Sequence, residues 1–89
     1  MQEYAAPLNI MGESNFNYKQ CVRALKKLGF SLSPKRNGNH DKFIAPFKNS
    51  NPPFIMIPRH KQLHCQRAIL KELKQMGGDE LANKFISFL

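Results

Sequence analysis

His40 is the residue in this chain best placed to do chemistry. It follows a Gly38-Asn39 turn and has Lys35 and Arg36 just before it. Lys42 lies two positions on, which in an extended segment puts both side chains on one face. Imidazole is the side chain whose charge ordinarily changes between about pH 5 and 8, and Lys and Arg hold phosphates. A proton-transfer group among phosphate-binding cations is the minimum needed to cut a ribose-phosphate chain. The 2′-hydroxyl loses its proton, its oxygen attacks the adjacent phosphorus, and the cations offset the charge that develops. The same histidine also fits a turn residue at a wet strand end with no chemical task, and residue types alone leave both readings open.

Other chemistries have less support. Asp41 and Glu72 fall in different elements with no spacing that pairs two carboxylates. The serines lie in no strand-elbow-helix context, and neither cysteine has a base beside it. Gly38 alone is not a phosphate-cradling glycine loop. His60, His64 and Cys65 have finger-like spacing but lack the cysteine pair that would complete a tetrahedral site, so neither a metal nor another cofactor is expected. Cys21 and Cys65, far apart and in no C-x-x-C, read as two thiols packed in the core.

Charge points to the class of partner. The 89 residues carry a net +8, and all but one of the 14 Lys and Arg fall between 17 and 75, where only Asp41 and Glu72 oppose them. That excess exceeds what solubility needs and favours a polyanion, RNA first. Within it, Arg59-His60-Lys61 forms a second basic corner whose residues read as phosphate contacts beside Lys35, Arg36 and Lys42. Gly38 allows close backbone approach to a ligand. No apolar run exceeds Phe54–Ile57, far short of the ~20 residues that span a bilayer. The first residues lack the order of a signal peptide, so a cytoplasmic location is expected.

The elements that must position these groups follow from periodicity. A chain this short is one domain, and 42% hydrophobic residues suffice for one thin core. Residues 1–16 show no sustained period and read as an extension outside the core; 17–89 form the domain. Tyr18, Cys21, Val22, Leu25 and Leu28 make one helical stripe, opened by Asn17 as a cap and closed by Gly29. Phe30–Ser33 alternates as a strand, Pro34–Asn39 is a hairpin turn, and His40–Ala45 is a second strand with Asp41, Phe43 and Ala45 facing one way. Phe54–Ile57 is a third strand stopped by Pro58. Cys65, Ile69, Leu73 and Met76 mark a second helix ended by Gly77-Gly78, and Asp79 caps a short third one. The expected fold is α+β, ordered α-β-β-β-α-α, a three-stranded antiparallel sheet with helices on one face.

Four pieces of the chain, taken in order, resemble the HicA family of small toxin ribonucleases. Leu25-Lys26-Lys27-Leu28-Gly29-Phe30 looks like that family's first helix running into its first strand. Gly38-Asn39-His40-Asp41-Lys42-Phe43 is similar to its Gly-Ser-His-His-Lys-Phe motif. Ile57-Pro58-Arg59-His60 resembles its Val-Pro-His-His segment, and Arg67-Ala68-Ile69-Leu70-Lys71 the start of its second helix. The resemblance implies a fold like double-stranded-RNA-binding domains, and messenger-RNA cleavage by one essential histidine, here His40. It also implies neutralisation by a HicB antitoxin that covers the site. Asn39 stands where the family has Ser, Asp41 where it has a second His, and Arg59 where it has the first His of its later segment. Activity would suffer if Asp41 pointed at the RNA, and strand alternation predicts that it does not.

Overall fold

In the computed structural model, which describes residues 15–34, 38–48, 52–60, 63 and 65–89, the chain runs helix, three strands, helix. The elements are α1 (Tyr18–Lys27), β1 (Ser31–Leu32), β2 (His40–Ile44), β3 (Phe54–Pro58) and α2 (Gln66–Ser87). The strands form one antiparallel sheet in the order β1-β2-β3.

α1 starts and stops where its caps dictate. The Asn17 side chain accepts from the Gln20 N–H at 2.8 Å while Gln20 Oε1 accepts from the Asn17 N–H at 3.0 Å, a reciprocal capping box. At the other end Gly29 takes φ +98°. This lets its own N–H reach Lys26 O and the Phe30 N–H reach Leu25 O, each at 3.0 Å. Leu25 and Phe30, joined by that second bond, are both buried, which sets the angle at which the chain leaves the helix for β1.

β2 carries the strict alternation its sequence predicts. Asp41 and Phe43 are buried, whereas His40 and Ile44 are exposed and Lys42 is half-exposed. The β2–β3 register pairs His40 with Pro58, Lys42 with Met56 and Ile44 with Phe54 on the outer face. On the inner face it pairs Asp41 with Ile57 and Phe43 with Ile55. Both helices pack on that inner face, where Phe43, Leu25, Ile55, Ile57, Leu73 and Phe85 are almost wholly buried. Truncating a phenylalanine in such a place costs about 3–5 kcal/mol.

Three expectations need adjusting. β1 is Ser31–Leu32, shorter than Phe30–Ser33, because Phe30 turns inward to pack edge-on against Phe47 with ring centroids 6.1 Å apart. The core begins before Asn17: Phe16, grouped with the extension, is buried and meets Phe85 in a T-shaped contact at 5.3 Å. The expected stop at Gly77-Gly78 is a break inside one helical span, where both residues leave helical dihedrals, Gly78 at φ +74°. The bend returns Leu81, Ala82 and Phe85 to the core, and a Cβ on Gly77 would stand 2.8 Å from that of Leu81. No helix among the described residues is long and apolar enough to cross a membrane.

Candidate nucleic-acid interface

His40 opens β2 on the face opposite the helices and is solvent-exposed. Lys42 follows on the same face. Its Nζ lies 4.4 Å above the ring centroid of Phe54, whose own strand partner is Ile44. An exposed contact of this kind is worth about 0.5–1 kcal/mol, enough to bias the lysine over the ring but not to lock it there. Gly38, at φ +57°, would place a Cβ in open space. The glycine is therefore required by its dihedral, and the space around it leaves the turn open to a ligand. Asn39, next in the turn, and His60 are also exposed.

Arg59 is bound into the structure. Its Nε lies 3.3 Å from Asp41 Oδ1. Its Nη2 donates to the Gly38 carbonyl, and its backbone N–H donates to Asn39 O at 2.8 Å. The second oxygen of Asp41 accepts from the Tyr18 hydroxyl on α1. Asp41 is only 5% exposed, so its carboxylate is desolvated and is compensated by a guanidinium and a phenol. One buried acid thus ties together α1, the start of β2, the end of β3 and the turn that presents His40. The acid that stands where phosphate repulsion would matter faces inward, as alternation predicts. Arg59, expected as a phosphate contact, uses its guanidinium to hold the turn. Lys35, Arg36, Lys61 and His64 lie outside the described residues.

A second basic surface runs along α1. Lys19, Arg23, Lys26 and Lys27 fall on adjacent turns with no acid in the helix, and with Tyr18 and Val22 they line a shallow groove. None of the four is in an ion pair among the described residues. Arg23 donates to Leu89 O at 3.3 Å, and Lys27 Nζ sits 5.6 Å from the Phe88 ring centroid.

The thiols do not compete as nucleophiles. Burial, helped by Cys65, pushes the Cys21 thiol up to about 12, and burial also raises Cys65. Both therefore hold their protons near neutrality. Sequence patterns did not single out Tyr18 as the partner of Asp41 or Phe54 as the seat of Lys42. Each depends on which residues the fold brings side by side, and the β2–β3 register was the missing signal. No family model matches the chain, and no curated protein or solved structure matches it either.

Proposed function

We propose that this chain is a metal-independent endoribonuclease of the HicA kind, the toxin of a type II toxin–antitoxin pair. In this reading it cleaves messenger RNA in the cytoplasm and is neutralised by a HicB-like antitoxin. The observation that carries the reading is the division of β2 between its two faces: His40 and Lys42 are presented to solvent while the only acid of the strand is buried and neutralised. The helix–three strands–helix order is compatible with a fold like that of double-stranded-RNA-binding domains.

His40 takes the proton of a ribose 2′-hydroxyl, or delivers one to the departing 5′-oxygen. The 2′-oxygen bonds to phosphorus as the bond to the 5′-oxygen breaks, leaving a 2′,3′-cyclic phosphate and a free 5′-hydroxyl. Lys42 offsets the charge that builds on the phosphoryl oxygens, with Lys35, Arg36 and Lys61 as further cations. Asn39 offers its exposed side-chain amide beside the reacting centre, the Gly38 turn allows close approach of the backbone, and His60 or a water supplies the second proton transfer. An acidic antitoxin surface is the natural cover for such a cationic site.

The test is cleavage of a labelled RNA in the presence of chelator, comparing the native chain with His40→Ala at matched RNA occupancy. Loss of cleavage with binding retained is the expected result. Binding without cleavage by either protein would instead identify a non-catalytic RNA-binding module, which the same cations would serve.

A further inference from the structure

We propose that the RNA is taken as a single strand laid along the open face of β2 and β3, with the scissile phosphate at His40 and a nearby base stacked on Phe54. The inference rests on the ribonuclease reading for the role of His40 and adds a substrate form and a binding residue to it.

The outer face is a short platform. His40, Lys42 and Ile44 project from β2, while Met56 and Phe54 lie beside them on β3. Ile44 is 41% exposed, and both helices pack on the other face. A partly exposed apolar row beside a histidine and a lysine, in a chain of net +8, suits a ligand with both flat apolar surfaces and negative charge. Unpaired nucleotides have both. At about 3.4 Å per residue, the Ile44–Phe54 row lies about 14 Å along the strand from His40, within reach of a short extended stretch of RNA.

A duplex has no use for this platform. Its bases are stacked inside and it offers phosphates and 2′-hydroxyls, whereas a single strand can splay a base onto an aromatic ring. A regular helix also holds the 2′-oxygen out of line with the phosphorus and the 5′-oxygen, and in-line attack needs a strand free to rotate.

Lys42 does not block the ring. An exposed cation–π contact amounts to roughly 2- to 5-fold in an equilibrium, whereas a base stacked on an aromatic side chain is worth roughly 5- to 150-fold in affinity. The base therefore displaces the ammonium. The ammonium, two residues from His40 on the same face, is then free to pair with the phosphate. One residue thus shields the ring when RNA is absent and holds the backbone when RNA is present.

The experiment measures binding of a 12-nucleotide single strand of 2′-O-methyl RNA, which cannot be cleaved, and of the same sequence as a duplex, across a salt series. The proteins are the native chain, Phe54→Leu, Phe54→Tyr and Lys42→Gln. Leucine keeps the apolar volume of the site without the π face, and thermal melting checks that each variant folds. The expected result is tighter binding of the single strand and a loss of at least roughly 5-fold for Phe54→Leu at every salt concentration. Phe54→Tyr should restore affinity, and Lys42→Gln should lower the salt slope by about 0.7. Preference for the duplex, or native affinity in Phe54→Leu, overturns the inference and leaves the ribonuclease reading intact. Failure of the native chain to bind either RNA overturns both. A Phe54→Leu protein that keeps RNA but loses an acidic protein partner assigns the face to that partner instead.

Discussion

The α1 ridge and the outer face of β2 are both basic, but they are equipped for different work. α1 has the higher charge: four cations in ten residues, with no acid and no histidine. The β2 face has one lysine, but it also has a histidine, an aromatic ring and an open glycine turn, with the nearest carboxylate buried behind it. Charge density attracts a polyanion at long range, whereas bond cleavage needs a titratable group held in a fixed place. On the proposed reading, α1 gathers RNA and β2 acts on it.

The largest expected effect is at His40. His40→Ala should cut cleavage by about 100- to 10,000-fold, whereas replacing Lys19 and Lys26 together by Gln should leave the rate at saturating RNA unchanged. Single-turnover kinetics read both. Equal losses in the two proteins would erase the distinction between the faces.

Next is the clip behind the β2 face. Arg59→Ala removes both the guanidinium beside the buried Asp41 carboxylate and the bond to the Gly38 carbonyl, and should cost about 3 kcal/mol of stability. Urea unfolding measures it. Arg23→Ala on the α1 ridge, where among the described residues the guanidinium bonds a backbone oxygen at an exposed position, should cost under about 1 kcal/mol. A similar cost for both would mean that Arg59 is no more engaged than a surface arginine.

A smaller effect concerns RNA affinity. The Lys19 and Lys26 double replacement should weaken binding a few-fold and reduce the salt slope by up to about 1.4, that is about 0.7 for each phosphate of a single strand that goes unneutralised. An unchanged slope would leave the ridge without a role in binding.

The last two effects are pH-dependent and test the buried sides of the helices. Cys21 keeps its proton up to about 12 in the fold, against an ordinary value of 9.0. The unfolded thiol therefore ionises first, and stability falls as pH rises from 9 toward 12. Cys21→Ala should melt at a lower temperature at neutral pH but lose less on going alkaline. On α2, burial raises the Glu72 carboxyl above its ordinary 4.5. The unfolded chain sheds that proton first, so the fold loses stability as pH rises through the raised value. Glu72→Gln should remove that loss and gain on the native chain above the interval. A melting profile identical to that of the native chain from pH 4 to 7 would contradict it.

Legibility differed with the range of the interactions involved. α1 could be read to its ends because its stripe, Asn17 cap and Gly29 stop are local, and the capping box and φ +98° turn are made by neighbours in sequence. The alternation of β2 was legible for the same reason and was enough to turn Asp41 inward. Arg59 was not legible as a structural residue. Its task depends on β3 ending against the Gly38–Asn39 turn, a register that hydrophobic pattern leaves open. Phe16 was missed because its partner, Phe85, is distant in sequence, and a single aromatic at the edge of an aperiodic stretch has no period to reveal it. The Lys42–Phe54 contact crosses a diagonal of the same hairpin and became visible only with the pairing.

The contact between Phe16 and Phe85 also governs when this molecule can first exist during its own synthesis. Phe16 leaves the ribosome well before Phe85, the ring it packs against, and Leu81 and Ala82 of the same segment reach the core just as late. Until that segment emerges, the inner face of the sheet is only partly covered, by α1 and the first half of α2, and the hairpin presenting His40 lacks part of its support. On the proposed reading, a nascent chain that has emerged only as far as β3 carries His40 without the folded platform behind it, and cleavage waits for the second half of α2.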